Sequence, residues 1–218
     1  MGSDNPSGAG NQQGSLEIGP VPISSIPQRL HAELLETDAS GLSAYLQGAL
    51  RDGTRSRLHA THRIGQSDPV WLALLQEILN LLQCRGWIYR EGRLRNYWIL
   101  ETTAPFLSID FDGFSLVGVR QGLDYVRGYF DAEGGMPQDS EARLYLGISQ
   151  KNRSSLEAVR MILKSWEIDC GRIHNPSQNV DPDYWRFYIR SESRRRFMAM
   201  VGSWYPRKRR LIEARMKI

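Results

Sequence analysis

From Leu42 onward the apolar positions of the chain alternate between two rhythms, and the changes of rhythm occur in the same order twice. Leu42, Tyr45, Leu46, Ala49 and Leu50 recur three and four residues apart, as one face of a helix does, until Asp52-Gly53-Thr54 breaks the run. Arg55, Arg57, His59, Thr61 and Arg63 then interleave with Leu58, Ala60 and Ile64, and this period of two predicts one strand with a polar and an apolar face. Asp68-Pro69 has the form of a helix start, continued by Leu72, Leu75, Ile78, Leu79 and Leu82 and closed by Gly86. Trp87–Arg90, a Glu91-Gly92 turn and Arg93–Leu100 predict a hairpin.

The second pass opens with Leu123, Val126, Tyr129 and Phe130 and stops at Glu133-Gly134-Gly135. A strand is expected with Leu144, Leu146 and Ile148 on one face and Arg143 and Tyr145 on the other. Ser154, with Glu157 in capping-box position, is expected to start a helix carrying Leu156, Val159, Ile162, Leu163 and Trp166. That helix stops before Gly171, and Arg172–His174 pairs with Tyr184–Arg190. Gly48 precedes Gly128 by 80 residues, Gln66 precedes Gln150 by 84 and Gly86 precedes Gly171 by 85, as duplication with short insertions would give. The expected fold is α+β, with two tandem αββαββ-type repeats related by a pseudo-twofold axis, each with a curved antiparallel sheet. Residues 1–28 read as a Gly-, Ser- and Pro-rich arm, 29–122 as the first repeat, and 123–218 as the second with a basic C-terminal helix.

Composition changes this picture in one respect. The 218 residues suffice for a full core, and 41% hydrophobic with 24% charged residues is ordinary for a soluble protein. No apolar run or signal pattern points to a membrane, so a cytoplasmic or nucleoid location is expected, or an organellar one for an organellar intron product. The net charge of +4 is uneven: from Arg190 to Ile218 there are ten basic and two acidic residues, a footprint expected for a polyanion partner such as nucleic acid. Cys84 and Cys170 lack zinc-site spacing and read as small buried hydrophobes. The chain contains no P-loop, dinucleotide fingerprint or nucleophile elbow.

Three segments carry candidate chemistry: Val126-Arg127-Gly128-Tyr129-Phe130-Asp131-Ala132-Glu133-Gly134, Gly147-Ile148-Ser149-Gln150-Lys151, and Gly202-Ser203-Trp204-Tyr205-Pro206-Arg207-Lys208. In order and spacing they resemble the single-chain LAGLIDADG homing endonucleases, over roughly residues 29–218. The resemblance implies a saddle over double-stranded DNA and a monomeric, site-specific endonuclease of homing type using Mg²⁺ or another divalent cation. It implies that Glu133 holds metal, and that Gln150 and Lys208 lie near the attacking water. A non-cleaving or nicking DNA-binding relative and an intron RNA-splicing maturase are the alternative readings.

The first repeat departs from the family pattern. Without a gap, Leu46–Thr54 puts Gly53 where the second carboxylate belongs; with a one-residue deletion Asp52 takes that place beside Gln66. A lost residue turns the helix face by about 100°, so Asp52 serves only where the helix end tightens or unwinds. Ser67 stands where the second repeat has Lys151, and Arg120 or another arginine would have to replace a first-repeat counterpart of Lys208. DNA contacts are expected from Arg55, Arg57, His59, Thr61, Arg63, Tyr89, Arg93 and Arg95, and from Arg143, Tyr145, His174, Arg186 and Tyr188.

Overall fold

The structure is a computed structural model and describes residues 26–92, 95–139 and 141–216. The chain begins with α1 (Gln28–Glu36), α2 (Ala39–Ala49), β1 (Gly53–Arg55), β2 (His62–Gln66), α3 (Pro69–Leu81), β3 (Gly86–Arg90) and β4 (Trp98–Thr102). It continues through α4 (Val119–Glu133), β5 (Gly134–Gly135), β6 (Gly147–Gln150), α5 (Arg153–Ser165), β7 (Trp185–Tyr188), α6 (Arg194–Met200) and α7 (Pro206–Met216). The fold is α+β, with two antiparallel sheets ordered β1-β2-β4-β3 and β5-β6-β7.

One face of each sheet carries the apolar residues that bury a helix. Ile64, Leu100 and Ile88 lie in one cross-strand row and join Trp71, Leu72, Leu75, Ile78 and Leu79 of α3 in a first core. Ile148 and Phe187 pair across β6 and β7 and join Leu156, Val159 and Leu163 of α5 in a second core. Between the cores, α2 and α4 cross at Gly48 and Gly128. A Cβ on Gly48 would strike the Tyr125 carbonyl, and one on Gly128 the Tyr45 carbonyl, so both positions require glycine for the backbones to meet.

Local differences from the sequence reading have physical causes. The single strand expected over 55–64 is a hairpin: Ser56 N–H donates to the Thr61 carbonyl at 2.8 Å, and Ala60 turns the chain at φ 52°. Leu58, expected on the apolar face, sits in this turn and is 85% exposed. Asn152, not Ser154, caps α5, its Oδ1 accepting from Ser155 N–H at 3.1 Å, while Glu157 pairs with Arg153 at 3.0 Å. Asp68 does cap α3, accepting from Val70 N–H at 3.0 Å. Left-handed Gln83 and Glu167 reverse the chain after α3 and α5, so Gly86 opens β3 instead of stopping a helix. The strand expected through 143–148 begins at Gly147, and the basic C-terminal segment divides into α6 and α7 at left-handed Gly202. Residues 1–25 of the expected arm lie outside the described residues, whereas Ile26, Leu30 and Leu34 anchor α1 to the first core. Cys84 and Cys170 are partly buried free thiols.

Candidate active site

The C-terminal ends of α2 and α4 lie side by side, and each ends in a carboxylate held by a strand glutamine. After Ala49 the α2 backbone tightens into a 3₁₀ turn over Leu50–Asp52, winding further per residue than an α-helix. Asp52 then accepts a 2.6 Å hydrogen bond from Gln66 Nε2 at the end of β2. Glu133, the last residue of α4, accepts from Gln150 Nε2 at the end of β6 at 2.7 Å. The same amide reaches the Arg51 carbonyl at 3.4 Å, tying the second repeat to the end of the first motif helix.

These carboxyls titrate abnormally for a shared reason. Burial pushes Asp52 up to about 6, against the pull of Lys208 and Gln66. Burial first, and then the Asp52 charge, push Glu133 up to about 7. Burial lowers Lys208 to about 8, opposed by Asp131, Glu133 and Asp52. Two partly desolvated carboxyls, one of them raised further by the charge of the other, also favour a nearby cation.

The donor set fits a hard divalent ion that keeps water and binds substrate phosphates through the rest of its shell. Among the described residues no group of three or more His, Cys, Asp and Glu forms a metal cage. Asp52 and Glu133 would hold such an ion, leaving positions for water and phosphate oxygens.

Lys208 lies beneath this pair rather than projecting toward it. Its Nζ donates to the carbonyls of Phe130, Asp131 and Gly134 at 2.6, 2.8 and 2.7 Å, spending all three protons on the end of α4. The lysine therefore caps the negative helix terminus and acts on the carboxylates through its field. Arg120 cannot be its first-repeat counterpart, since it lies in the first turn of α4, about 20 Å of helix from Glu133. Arg51 contributes positive charge near Glu133, but its guanidinium donates to the carbonyls of Ile109, at 3.3 Å, and Phe111.

A polar cluster that the sequence reading missed locks the two helices together. Asp131, only 1% exposed, accepts from Tyr45 Oη at 2.7 Å, Trp204 N–H at 2.9 Å, Tyr205 N–H at 3.0 Å and Ser203 Oγ. Trp71 Nε1 donates to Tyr45 Oη at 3.1 Å. Burial raises the Asp131 carboxyl, and Lys208 with these donors pulls the other way. Its place two residues before Glu133 was the available signal, but Tyr45 reads as an apolar helix position until its partner is known.

The face of the first sheet opposite the helices holds part of the expected DNA-reading set. Arg63 Nη2 donates to Tyr89 Oη at 2.9 Å and Glu91 Oε1 at 3.0 Å, and Tyr89 donates to Glu101 at 2.9 Å. Thr61, expected to be exposed, is buried and donates to Glu101. Arg55 also departs from expectation: its register opposite His62 turns it toward the helix side, where it borders a cleft walled by residues 103–110. Arg57 and His59 occupy the exposed hairpin turn, Arg95 is exposed between β3 and β4, and Arg93 lies outside the described residues.

On the second sheet Arg186 sits 5.3 Å from the Tyr188 ring centroid, and its Nε donates to His174 Nε2 at 3.5 Å. Tyr145 meets Tyr188 edge-on at 6.0 Å, and Arg143 is exposed. Part of the basic C-terminal charge is paired within the protein instead of forming a free footprint. Arg209 forms a two-pronged pair with Glu33 at 2.7 Å for each prong, Arg207 donates to Gln138 at 2.9 Å, and Arg196 pairs with Glu167 at 2.9 Å.

Comparison with known proteins agrees with this geometry. Residues 121–202 match the family model of the LAGLIDADG-like domain. No curated protein sequence matches the chain. Among solved structures, I-DmoI in complex with DNA and Mn is 19% identical with a TM-score of 0.56, over 76% of this chain and 98% of that one. The N-terminal LAGLIDADG domain of DUF199/WhiA is 19% identical with a TM-score of 0.58, over 80% of this chain and 91% of that one. Full-length DUF199/WhiA from Thermotoga maritima is 18% identical with a TM-score of 0.60, over 87% of this chain and 66% of that one. With the motif glycines at the crossing of α2 and α4, the carboxylates at their ends and the domain match over residues 121–202, the second repeat is similar to the LAGLIDADG-like domain and the chain shares the fold of these structures.

Proposed function

We propose that the protein is a site-specific endonuclease of homing type that binds double-stranded DNA as a monomer and hydrolyses phosphodiester bonds with Mg²⁺ or another divalent cation. The observation that carries this reading is the pair Asp52 and Glu133, each at a helix end and each held by a strand glutamine. The described complex of I-DmoI with DNA and Mn supports the same partner and cation class. When bound, the cation would polarise a phosphate oxygen and lower the pKa of water. Gln66 and Gln150 orient the carboxylates, and Lys208 and the buried surroundings set their charge.

The test is cleavage of a duplex library carrying separate labels on the two strands, in Mg²⁺ and in EDTA. Wild type is expected to cut both strands of a selected site only with the cation. Glu133→Gln and Asp52→Asn are each expected to stop cutting of at least one strand while affinity persists. Full double-strand cutting by both variants would remove this active-site assignment. A nicking relative is the second reading, favoured by one observation: Lys208 caps the end of α4, while Arg51, beside α2, is already committed to carbonyls. Wild type would then cut one labelled strand.

A further inference from the structure

The two sheets can be aligned on a feature they share: Gln66 pairs with Trp98 as Gln150 pairs with Trp185. Counting outward from these rows shows that the faces opposite the helices differ. On β2, Arg63 lies three residues from Gln66, about 10 Å along the strand. On β7, Arg186 lies one residue from Trp185, about 3 Å out.

Both arginines are held before any ligand arrives. Arg63 is fixed by Tyr89 and Glu91, which use both protons of Nη2 and leave Nη1. Arg186 is fixed by His174 and the Tyr188 ring through Nε and the guanidinium face, which leaves both terminal nitrogens for a ligand. A guanidinium fork reads the O6 and N7 edge of guanine, and one already oriented loses less freedom on doing so. Arg57, Arg95 and Arg143 are exposed at turns and loops, which suits phosphate contacts.

Resting on the DNA-binding reading above, we infer that Arg63 and Arg186 are the guanine-reading residues of the two half-sites, and that their positions make the target asymmetric. With about 3.4 Å per base-pair step, the Arg186 guanine lies about one step beyond its glutamine row and the Arg63 guanine about three. The two positions therefore differ by about two base pairs between the halves. Arg186, with two free nitrogens, discriminates more strongly than Arg63.

The test is selection from a random-centre duplex library in Ca²⁺, followed by sequencing, for wild type, Arg186→Lys, Arg186→Ala and Arg63→Ala, with melting curves as folding controls. Wild type is expected to enrich one guanine in each half, offset by about two base pairs. Arg186→Lys keeps the charge but lacks the fork, so it is expected to lose about tenfold discrimination at the inner guanine while keeping its salt dependence. Arg63→Ala should erase only the outer guanine. The inference is overturned where folded variants keep both guanines, or lose affinity equally for every sequence, as phosphate contacts would. It also falls where the two positions are symmetric. Enrichment of a motif indifferent to these variants removes this inference alone, whereas no enrichment by wild type removes the DNA-binding reading with it.

Discussion

Asp52 and Glu133 are brought together at a cost that pH should reveal. Their ordinary values are 3.8 and 4.5, and in the fold they rise to about 6 and about 7. Between these limits the fold retains protons that the unfolded chain has already released, so stability falls as pH rises from about 4 to about 7. The urea midpoint of the metal-free protein should fall across that window, flatten in Glu133→Gln, and recover when a divalent ion is added. A midpoint that climbs steadily from pH 4 to 7 would contradict the raised values. Glu33, held low by its bond to Arg209, acts oppositely, but only below its ordinary value of 4.5. Asp131 belongs to a different class of residue, because its bonds hold the helices in place. Asp131→Asn leaves two backbone N–H groups and two hydroxyls competing for one acceptor oxygen, and is expected to cost about 3 kcal/mol in a denaturant titration.

At the scale of elements, the end of α2 decides which residue of the first motif faces Gln66. The shortened motif alone left Gly53 and Asp52 as competitors, because a regular helix would turn Asp52 away. The 3₁₀ turn over Leu50–Asp52 resolves this in favour of Asp52 facing Gln66. The crossing of α2 on α4 depends on the absence of two methyl groups, and both would meet backbone, which cannot move aside. Gly48→Ala is therefore expected to destabilise by about 3 kcal/mol and to lower cleavage along with stability, measured by thermal melting and strand-cutting assays. Asp68→Ala removes one helix cap and should cost about 1 kcal/mol with cleavage retained. Helix starts were only partly legible: Asp68 with Pro69 was unambiguous, whereas Asn152 and Ser154 are equally good caps on paper. Asn152 takes the cap because its side chain reaches the Ser155 N–H.

For the whole molecule, charge count and charge availability differ. The C-terminal excess of basic residues suggests a polyanion footprint, yet Arg209 is tied to Glu33 on α1, and Lys208 is buried under α4. Arg209→Ala should lower the melting midpoint by the equivalent of about 1 kcal/mol and leave the salt dependence of duplex binding unchanged. Wild-type affinity should still fall steeply with salt, because exposed arginines at the sheet turns displace counterions. A slope that drops by about one for Arg209→Ala would place that residue on the phosphates instead.

The sequence by itself determined the α+β class, the hairpin of β3 and β4, the glycines of the helix crossing and the glutamate that ends the second motif. Each depends on neighbours a few residues away or on a period repeated along one element. Only the tertiary structure decided which polar side chains face a ligand. Thr61 and Arg55 lie in the same alternating run as Arg63, but the turn at Ala60 divides that run into two strands, burying Thr61 and sending Arg55 to the helix side. Tertiary contacts likewise gave Lys208 three carbonyls as partners and paired Asp131 with Tyr45, a residue 86 positions away. Partners so distant leave no periodic trace in the chain, because a side chain's bonding is set by what folds against it.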